Sequence, residues 1–205
     1  MLSHLRPAIV MIVLFTALTG LAYPLAITGI AQVALKGPAD GSLILRDGAV
    51  VGSRLIGQSF IADRYFHGRP SATSAPDPKD STRTVDAPYN AANSSGSNLG
   101  PTSQKLIDRV KGDVATLRAG STDAVPADAV TTSASGLDPD ISPAFAMLQV
   151  PRIAQARSLP EDRVRALVAA HVSGRVAGIF GEPRVNVLEL NLDLDAATPA
   201  MHQAG

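Results

Sequence analysis

The hydrophobic pattern begins with one long apolar segment at the N-terminus. Arg6 is the last charged residue before Lys36, and residues 7–35 carry no charge. About 20 apolar residues span the hydrocarbon core of a bilayer. A cleaved signal has a shorter apolar region, about 7–15 residues, followed by a small-x-small cleavage site. The pattern therefore predicts a retained transmembrane helix over residues 8–35, preceded by a short tail, residues 1–7.

Small and polar side chains recur at helical spacing within this predicted span. Pro24 has no N–H to donate to the Gly20 carbonyl, which predicts a kink between these two residues. Small residues let helices approach closely in lipid. A candidate packing face for other membrane helices follows, made of Thr16, Gly20, Pro24 and Thr28. The alternative is a plain anchor in which these residues occur by chance.

The charges that flank the span bear on its orientation. Cytoplasmic flanks collect Lys and Arg, and here Arg6 lies before the span while Lys36 and Asp40 follow it. The difference is small, but the N-terminal tail is too short to be a domain. We expect the N-terminus in the cytoplasm and residues 36–205 outside it.

Residues 36–205 alternate between strand and helix patterns. Apolar runs on both sides of Asp47-Gly48 predict a β-hairpin, because this pair suits a tight turn with positive φ at both residues. Residues 71–101 carry many Ser, Asn, Pro and Gly without apolar periodicity, which predicts one long irregular loop. Aromatic residues Phe60, Tyr65 and Phe66 precede this loop, and filling a core is their most common role.

Three helices are predicted from capping signals and apolar spacing. The first follows a Thr102 or Ser103 cap and ends at Gly120, and the second starts at Ser142-Pro143 and contains Pro151, which should bend or break it. The third runs from about residue 159 to 172.

The last apolar pattern predicts a strand. Leucines at 188, 190, 192 and 194 alternate with polar residues, which is typical of a strand with one buried face. Strands first, helices in the middle and a strand last indicate an α+β domain. The whole chain is thus predicted as one transmembrane helix followed by a single extracytoplasmic α+β domain.

Composition and motifs narrow the function. The 18 basic and 18 acidic residues balance, which argues against a nucleic-acid partner. Cysteine is absent, and with it disulfides and thiolate metal sites. The sequence contains neither a phosphate-binding loop nor a Gly-x-Ser-x-Gly elbow, and its four histidines are scattered. These patterns predict an anchored interaction domain with no catalytic residues or metal site of its own.

Several segments, taken together and in order, resemble the C subunit of the bacterial potassium-transporting ATPase, the Kdp system. They are GSRLIGQSF (52–60), YFHGRPS (65–71), YN (89–90), GSNLGP (96–101), SGLDPDISP (135–143), QVPRIAQAR (149–157) and GEPRVNVLELNL (181–192). The family pattern usually has Gly at Ser95 and Ala134, His at Asp140 and Ala at Asp193. Asp140 therefore removes any role that depends on a histidine at that position.

The resemblance implies a bacterial inner-membrane complex. Its other members are a channel-like potassium subunit, a P-type ATPase subunit and a small helical subunit, and the complex rather than this chain handles ATP and potassium. The implied role is that of a non-catalytic accessory subunit of high-affinity potassium import, needed for assembly. A catalytic chaperone that raises the affinity of the ATPase subunit for ATP and a gate for potassium entry both remain open.

The matched motifs also supply a candidate partner interface. It consists of Tyr65, Phe66, Arg69, Asn98, Leu99, Gly100 and Pro101. An alternative function is a membrane-anchored extracytoplasmic hydrolase that uses the Ser-rich loop, with Ser95 and Ser97 as candidate nucleophiles.

Overall fold

A computed structural model describes residues 4–118 and 124–197 of the chain. The chain divides into two compact units, residues 1–53 and residues 54–205, which are described separately. The Gly120 helix end predicted above lies outside the described residues.

The first unit begins with a continuous apolar helix of 30 residues, Leu5–Ala34. It consists of α1 (Leu5–Ala17), a π-helical turn (Leu18–Ala22) and α2 (Tyr23–Ala34). The predicted single N-terminal transmembrane helix is confirmed, and the bounds 8–35 of its membrane span stay a prediction. The helix starts earlier because Pro7 lies in the first turn, where backbone N–H groups have no helical partner and proline is tolerated.

The π-helical turn lies where the sequence predicts an irregularity. The N–H of Tyr23 donates to the Leu18 carbonyl, five residues earlier. Pro24 follows directly and has no N–H for the Gly20 carbonyl. The helix contains a π turn at the point where this hydrogen bond is missing, and it continues beyond it without a break.

A short helix and a hairpin complete the first unit. Helix α3 (Lys36–Ala39) leads into β1 (Leu43–Arg46) and β2 (Ala49–Ser53), which pair in an antiparallel sheet. The turn residues have positive φ, 52° at Asp47 and 78° at Gly48. The predicted hairpin and its turn are therefore confirmed.

The second unit packs helices against a small sheet. Its helices are α4 (Gln104–Leu117), α5 (Ala127–Val130), α6 (Pro143–Arg157), α7 (Glu161–Ala170) and α8 (Val187–Ala197). A three-stranded antiparallel sheet has the order β5 (Asp140–Ile141), β7 (Arg184–Asn186), β6 (Val172–Ser173). The predicted α+β class is confirmed.

The core of this unit is mostly aliphatic, with Phe66 and Phe145 as aromatic members. Helices α6, α7 and α8 supply most of its fully buried side chains, together with Phe66 and Val185. The helix members of this core are Ala129, Val130, Phe145, Ala146, Val150, Ile153, Ala154, Val164, Val168, Val187, Leu190 and Leu194.

The predicted closing strand is wrong. Only Arg184–Asn186 is extended, and the leucine-rich segment forms α8. Its buried residues are Val187, Leu188, Leu190, Asn191 and Leu194, a helical rather than alternating set. The polar Asn191 is 1% exposed, so it belongs to the buried face, and counting it as exposed produced the false alternation.

The other predicted elements are confirmed with changes. The Ser142 hydroxyl accepts the Phe145 N–H at 3.0 Å and caps α6, but this helix continues through the exposed Pro151 without a break. Buried neighbours on both sides, Val150 and Ile153, hold the helix against the core. The predicted loop 71–101 contains a two-stranded sheet, β3 (Ser74–Pro76) with β4 (Thr84–Asp86).

Gly57 offers a test of close packing in the second unit. A Cβ there would lie 2.5 Å from the Tyr89 ring and 2.6 Å from the Asp138 carbonyl oxygen. We expect Gly57→Ala to lower the free energy of unfolding by about 1–3 kcal/mol, since overpacking forces a backbone shift. The matched control is Gly112→Ala in α4, where nothing lies within 4 Å and alanine should add about 0.5–1 kcal/mol. Urea unfolding that gives equal stabilities would contradict this packing.

Candidate functional site

The candidate surface of the second unit is a loop, residues 62–71. Two buried amide side chains bind its backbone by hydrogen bonds. Gln149 accepts the His67 N–H at 2.8 Å and donates to the His67 carbonyl at 3.1 Å. Asn191 accepts the Phe66 N–H at 2.8 Å and donates to the Phe66 carbonyl at 2.9 Å. These amides are 5% and 1% exposed. Together they form the amide clamp, Gln149 with Asn191, which fixes two consecutive residues of the loop.

Two arginines of α6 extend this hold along the loop. Arg152 donates to the Tyr65 carbonyl at 3.0 Å, and also to the Asp63 carbonyl. Arg157 donates to the Arg64 carbonyl at 2.7 Å and forms an ion pair with Asp195 at 2.7 Å. Side chains therefore bind the loop backbone at five consecutive residues, 63 to 67.

Tyr65 lies between α6 and α8 in this arrangement. The Arg157 guanidinium carbon lies 4.9 Å from its ring centroid, within cation–π range. Its hydroxyl donates to Asp195 at 3.1 Å. Next to it, burial and then the Arg152 guanidinium lower the pKa of His67, which favours the neutral ring.

Tyr89 holds the far end of the same loop. Its hydroxyl donates to the Arg69 carbonyl at 2.8 Å, and its ring packs where a Cβ on Gly57 or Gly68 would clash. Burial raises the pKa of Tyr89 to about 12, so the hydroxyl stays protonated and remains a donor at physiological pH. Arg69 itself forms an ion pair with Asp138 at 2.9 Å.

The predicted interface residues divide between two places. Phe66 is fully buried, so its side chain belongs to the core, while Tyr65 and Arg69 are half-buried on the clamped loop. In the segment 98–101 only Leu99 is half-buried, and the other three residues are exposed. This segment leads into α4, where the Gly100 carbonyl accepts the Ser103 N–H at 3.0 Å.

Sequence reasoning missed the residues that hold the loop, both the amide clamp and the two arginines. Gln149, Arg152 and Arg157 belong to the QVPRIAQAR segment, which was matched as a motif without a physical role. No local pattern marks them, because their loop partners lie 82 to 93 residues away in the sequence. The alternating pattern predicted that Asn191 is exposed on a strand, whereas it is buried on a helix.

An open cleft of about 610 Å³ lies beside Arg69, which forms an ion pair with Asp138 there. Arg184 pairs with Asp140 at 3.0 Å, and Asp128 accepts the Ser142 N–H at 2.7 Å. Burial raises the pKa of Asp140, and the Arg184 guanidinium opposes that shift. Within residues 4–118 and 124–197, no cluster of three or more His, Asp or Glu side chains suits a metal ion.

The Ser-rich loop makes structural hydrogen bonds. Ser94 donates to the Ser135 carbonyl at 3.0 Å, and Ser95 to the Ala72 carbonyl at 3.3 Å. A nucleophilic serine needs a base within hydrogen-bond reach. The His67 ring instead contacts the Ala62 carbonyl, and His171 contacts Asp193. This geometry does not favour Ser95 as the nucleophile of the hydrolase alternative.

The π-helical turn changes the geometry of the packing face in the first unit. In a regular α-helix, residues four apart differ by about 40° in their angular position around the helix axis. Thr16 and Thr28 would therefore differ by about 120°. One extra residue in a π turn removes about 100° of this rotation. The four residues of the candidate packing face thereby lie within about 20° of one line parallel to the helix axis. They are Thr16, Gly20, Pro24 and Thr28. A Cβ on Gly20 would meet only the Thr16 methyl, at 4.0 Å.

The fold and these sites define a class, the single-span membrane proteins that carry an extramembrane α+β unit. The model of the KdpC family, described as "K+-transporting ATPase, c chain", matches residues 5–196. The chain belongs to the KdpC family.

Relatives in this family match nearly the whole chain. A potassium-transporting ATPase KdpC subunit of Methylobacterium nodulans is 68% identical, covering 95% of this chain and 98% of its own. One from Bradyrhizobium diazoefficiens is 65% identical over 96% of this chain and 98% of its own. One from Rhodopseudomonas palustris is also 65% identical, over 96% of this chain and 100% of its own.

Arg157 provides a test of how firmly the loop is held. Its side chain is only 7% exposed, so Arg157→Ala leaves Asp195 without its cation and the Arg64 carbonyl without a donor. We expect a loss of about 2–3 kcal/mol in the free energy of unfolding.

The control is Arg165→Ala, which removes an exposed ion pair with Glu161 on α7. Such a pair contributes at most about 0.5 kcal/mol. Chemical denaturation of the purified chain in detergent measures both. Similar losses for the two variants would show that Arg157 does not hold the loop.

Proposed function

We propose that the chain is a non-catalytic accessory subunit of an ATP-driven, high-affinity potassium import complex. The observation that carries this proposal is the match of family and relatives over nearly the whole chain. The ion pairs of Arg69 and Arg184 in the cleft, and the hydrogen bonds of Ser94 and Ser95 to backbone carbonyls, support a non-catalytic role. ATP and potassium are then handled by the other subunits.

The proposed partners are a channel-like potassium subunit, a P-type ATPase subunit and a small helical subunit. The aligned face of the membrane helix packs against partner helices, and small residues favour such close approach. The loop that carries Tyr65 and Arg69, together with residues 98–101, meets an extramembrane partner surface. A loop bound at several backbone positions loses little entropy on docking, which favours this use.

We further propose a single-pass protein of the bacterial inner membrane. Its N-terminal helix is retained, its N-terminus is cytoplasmic, and its α+β unit is extracytoplasmic. On that side the unit serves assembly of the complex or gates potassium entry. A direct increase in the ATP affinity of the ATPase subunit requires contact on the other side, so the alternative role fits this orientation less well.

Gene deletion tests the accessory role. A strain that lacks this chain but retains the other subunits should lose ATP-driven potassium uptake at micromolar external potassium. Restoring the chain should restore uptake. The control is growth at millimolar potassium, which should not change. Normal uptake in the deletion strain would contradict the proposal.

The packing face is tested by Gly20→Leu. The added side chain fills the space left for a partner helix without a clash inside this chain, so recovery of partner subunits in detergent pull-down should fall several-fold. Gly29→Leu is the matched control, because Gly29 has nothing within 4 Å and lies about 100° from Thr28 around the helix. Equal recovery with both variants would favour the plain anchor.

A further inference from the structure

The β1–β2 hairpin exposes one aliphatic face. Leu43, Leu45 and Val50 are 50%, 63% and 57% exposed. Leu45 pairs with Val50 across the hairpin. The register shifts between Ile44 and Leu45 by one additional residue on β2, so β1 keeps its alternation and Leu43 shares a face with Leu45 and Val50. We call Leu43, Leu45 and Val50 the hairpin face. Arg46 and its partner Ala49 lie on the opposite side.

The hairpin is tied to the end of the membrane helix. The Gln32 side chain, on α2, donates to Asp40 at 3.2 Å. The Ser42 N–H donates to the Gly37 carbonyl at 2.9 Å, and the Ser53 hydroxyl donates to the Gly41 carbonyl at 2.7 Å. These bonds join α2, α3 and both ends of the hairpin, so the position of the hairpin follows from that of the helix.

The length of the helix places this junction at the bilayer surface. A helix of 30 residues is about 45 Å long, against about 30 Å of hydrocarbon and about 40–45 Å including both headgroup layers. The end of α2 therefore reaches the headgroup layer, and the hairpin starts there. The connecting helix α3 has only 4 residues and adds about 6 Å.

The physical properties of the hairpin suit that layer. A two-stranded sheet is marginal in water unless one face is covered. Lys36, at the start of α3, provides a cation for lipid phosphate.

We propose that the hairpin face lies in the headgroup layer of the bilayer that the helix crosses. It acts there as a second, interfacial contact that fixes the depth and rotation of the helix. The proposal depends on the membrane span and not on the pump subunit role.

The chain contains no Trp, so an introduced indole reports on its own position. Leu45→Trp and Val50→Trp place it on the hairpin face, and Arg46→Trp places it on the other side as the control. The full-length variants are reconstituted in vesicles of phosphatidylcholine and phosphatidylglycerol. The acyl chains are brominated either near the headgroup or near the terminal methyl.

We expect blue-shifted emission for both face variants and stronger quenching by the shallow than by the deep bromines. Their shallow quenching should exceed that of Arg46→Trp by at least about twofold. Quenching no stronger than in the control would overturn the proposal. So would indoles that stay water-exposed in vesicles and become shielded only with partner subunits, since a protein would then cover this face.

Discussion

The second unit depends on how two buried amide side chains bind the main chain of one loop. Gln149 and Asn191 each satisfy both the N–H and the carbonyl of one residue, His67 and Phe66 respectively. Each such hydrogen bond has a net value of about 0.5–1.5 kcal/mol, but an unsatisfied buried partner costs about 1–3 kcal/mol. Loss of either amide would therefore affect the loop and the core together, because Phe66 is fully buried.

Helices α6 and α8 supply side chains that hold a loop surface, although neither helix forms part of that surface. Their apolar residues build the core, while Arg152, Arg157 and Asp195 reach the loop from the same helices. Tyr65 and Arg69 are thereby presented on a backbone whose conformation is already set. Preorganisation of this kind lowers the entropic cost of binding a partner.

Local signals predicted much of the fold. The hairpin turn at Asp47-Gly48 and the Ser142 cap each depend on a few neighbouring residues, and both are confirmed. Tertiary contacts decided the rest. Asn191 is buried by its bonds to Phe66, 125 residues away, so no local pattern marks it as part of a helix face. The three-stranded sheet has strands of two or three residues, too short for any periodicity. The clamp itself was missed for the same reason, since it joins distant segments.

Amide hydrogen exchange at Phe66 and His67 tests the central claim most directly, because these two N–H groups are the ones that the clamp binds. In the full-length chain they should exchange as slowly as the amides of α6, such as that of Ile153 in the core. The exposed loop residue Ala72 should exchange quickly by comparison. If Phe66 and His67 exchanged as fast as Ala72, the loop would not be held by Gln149 and Asn191, and the account would be wrong.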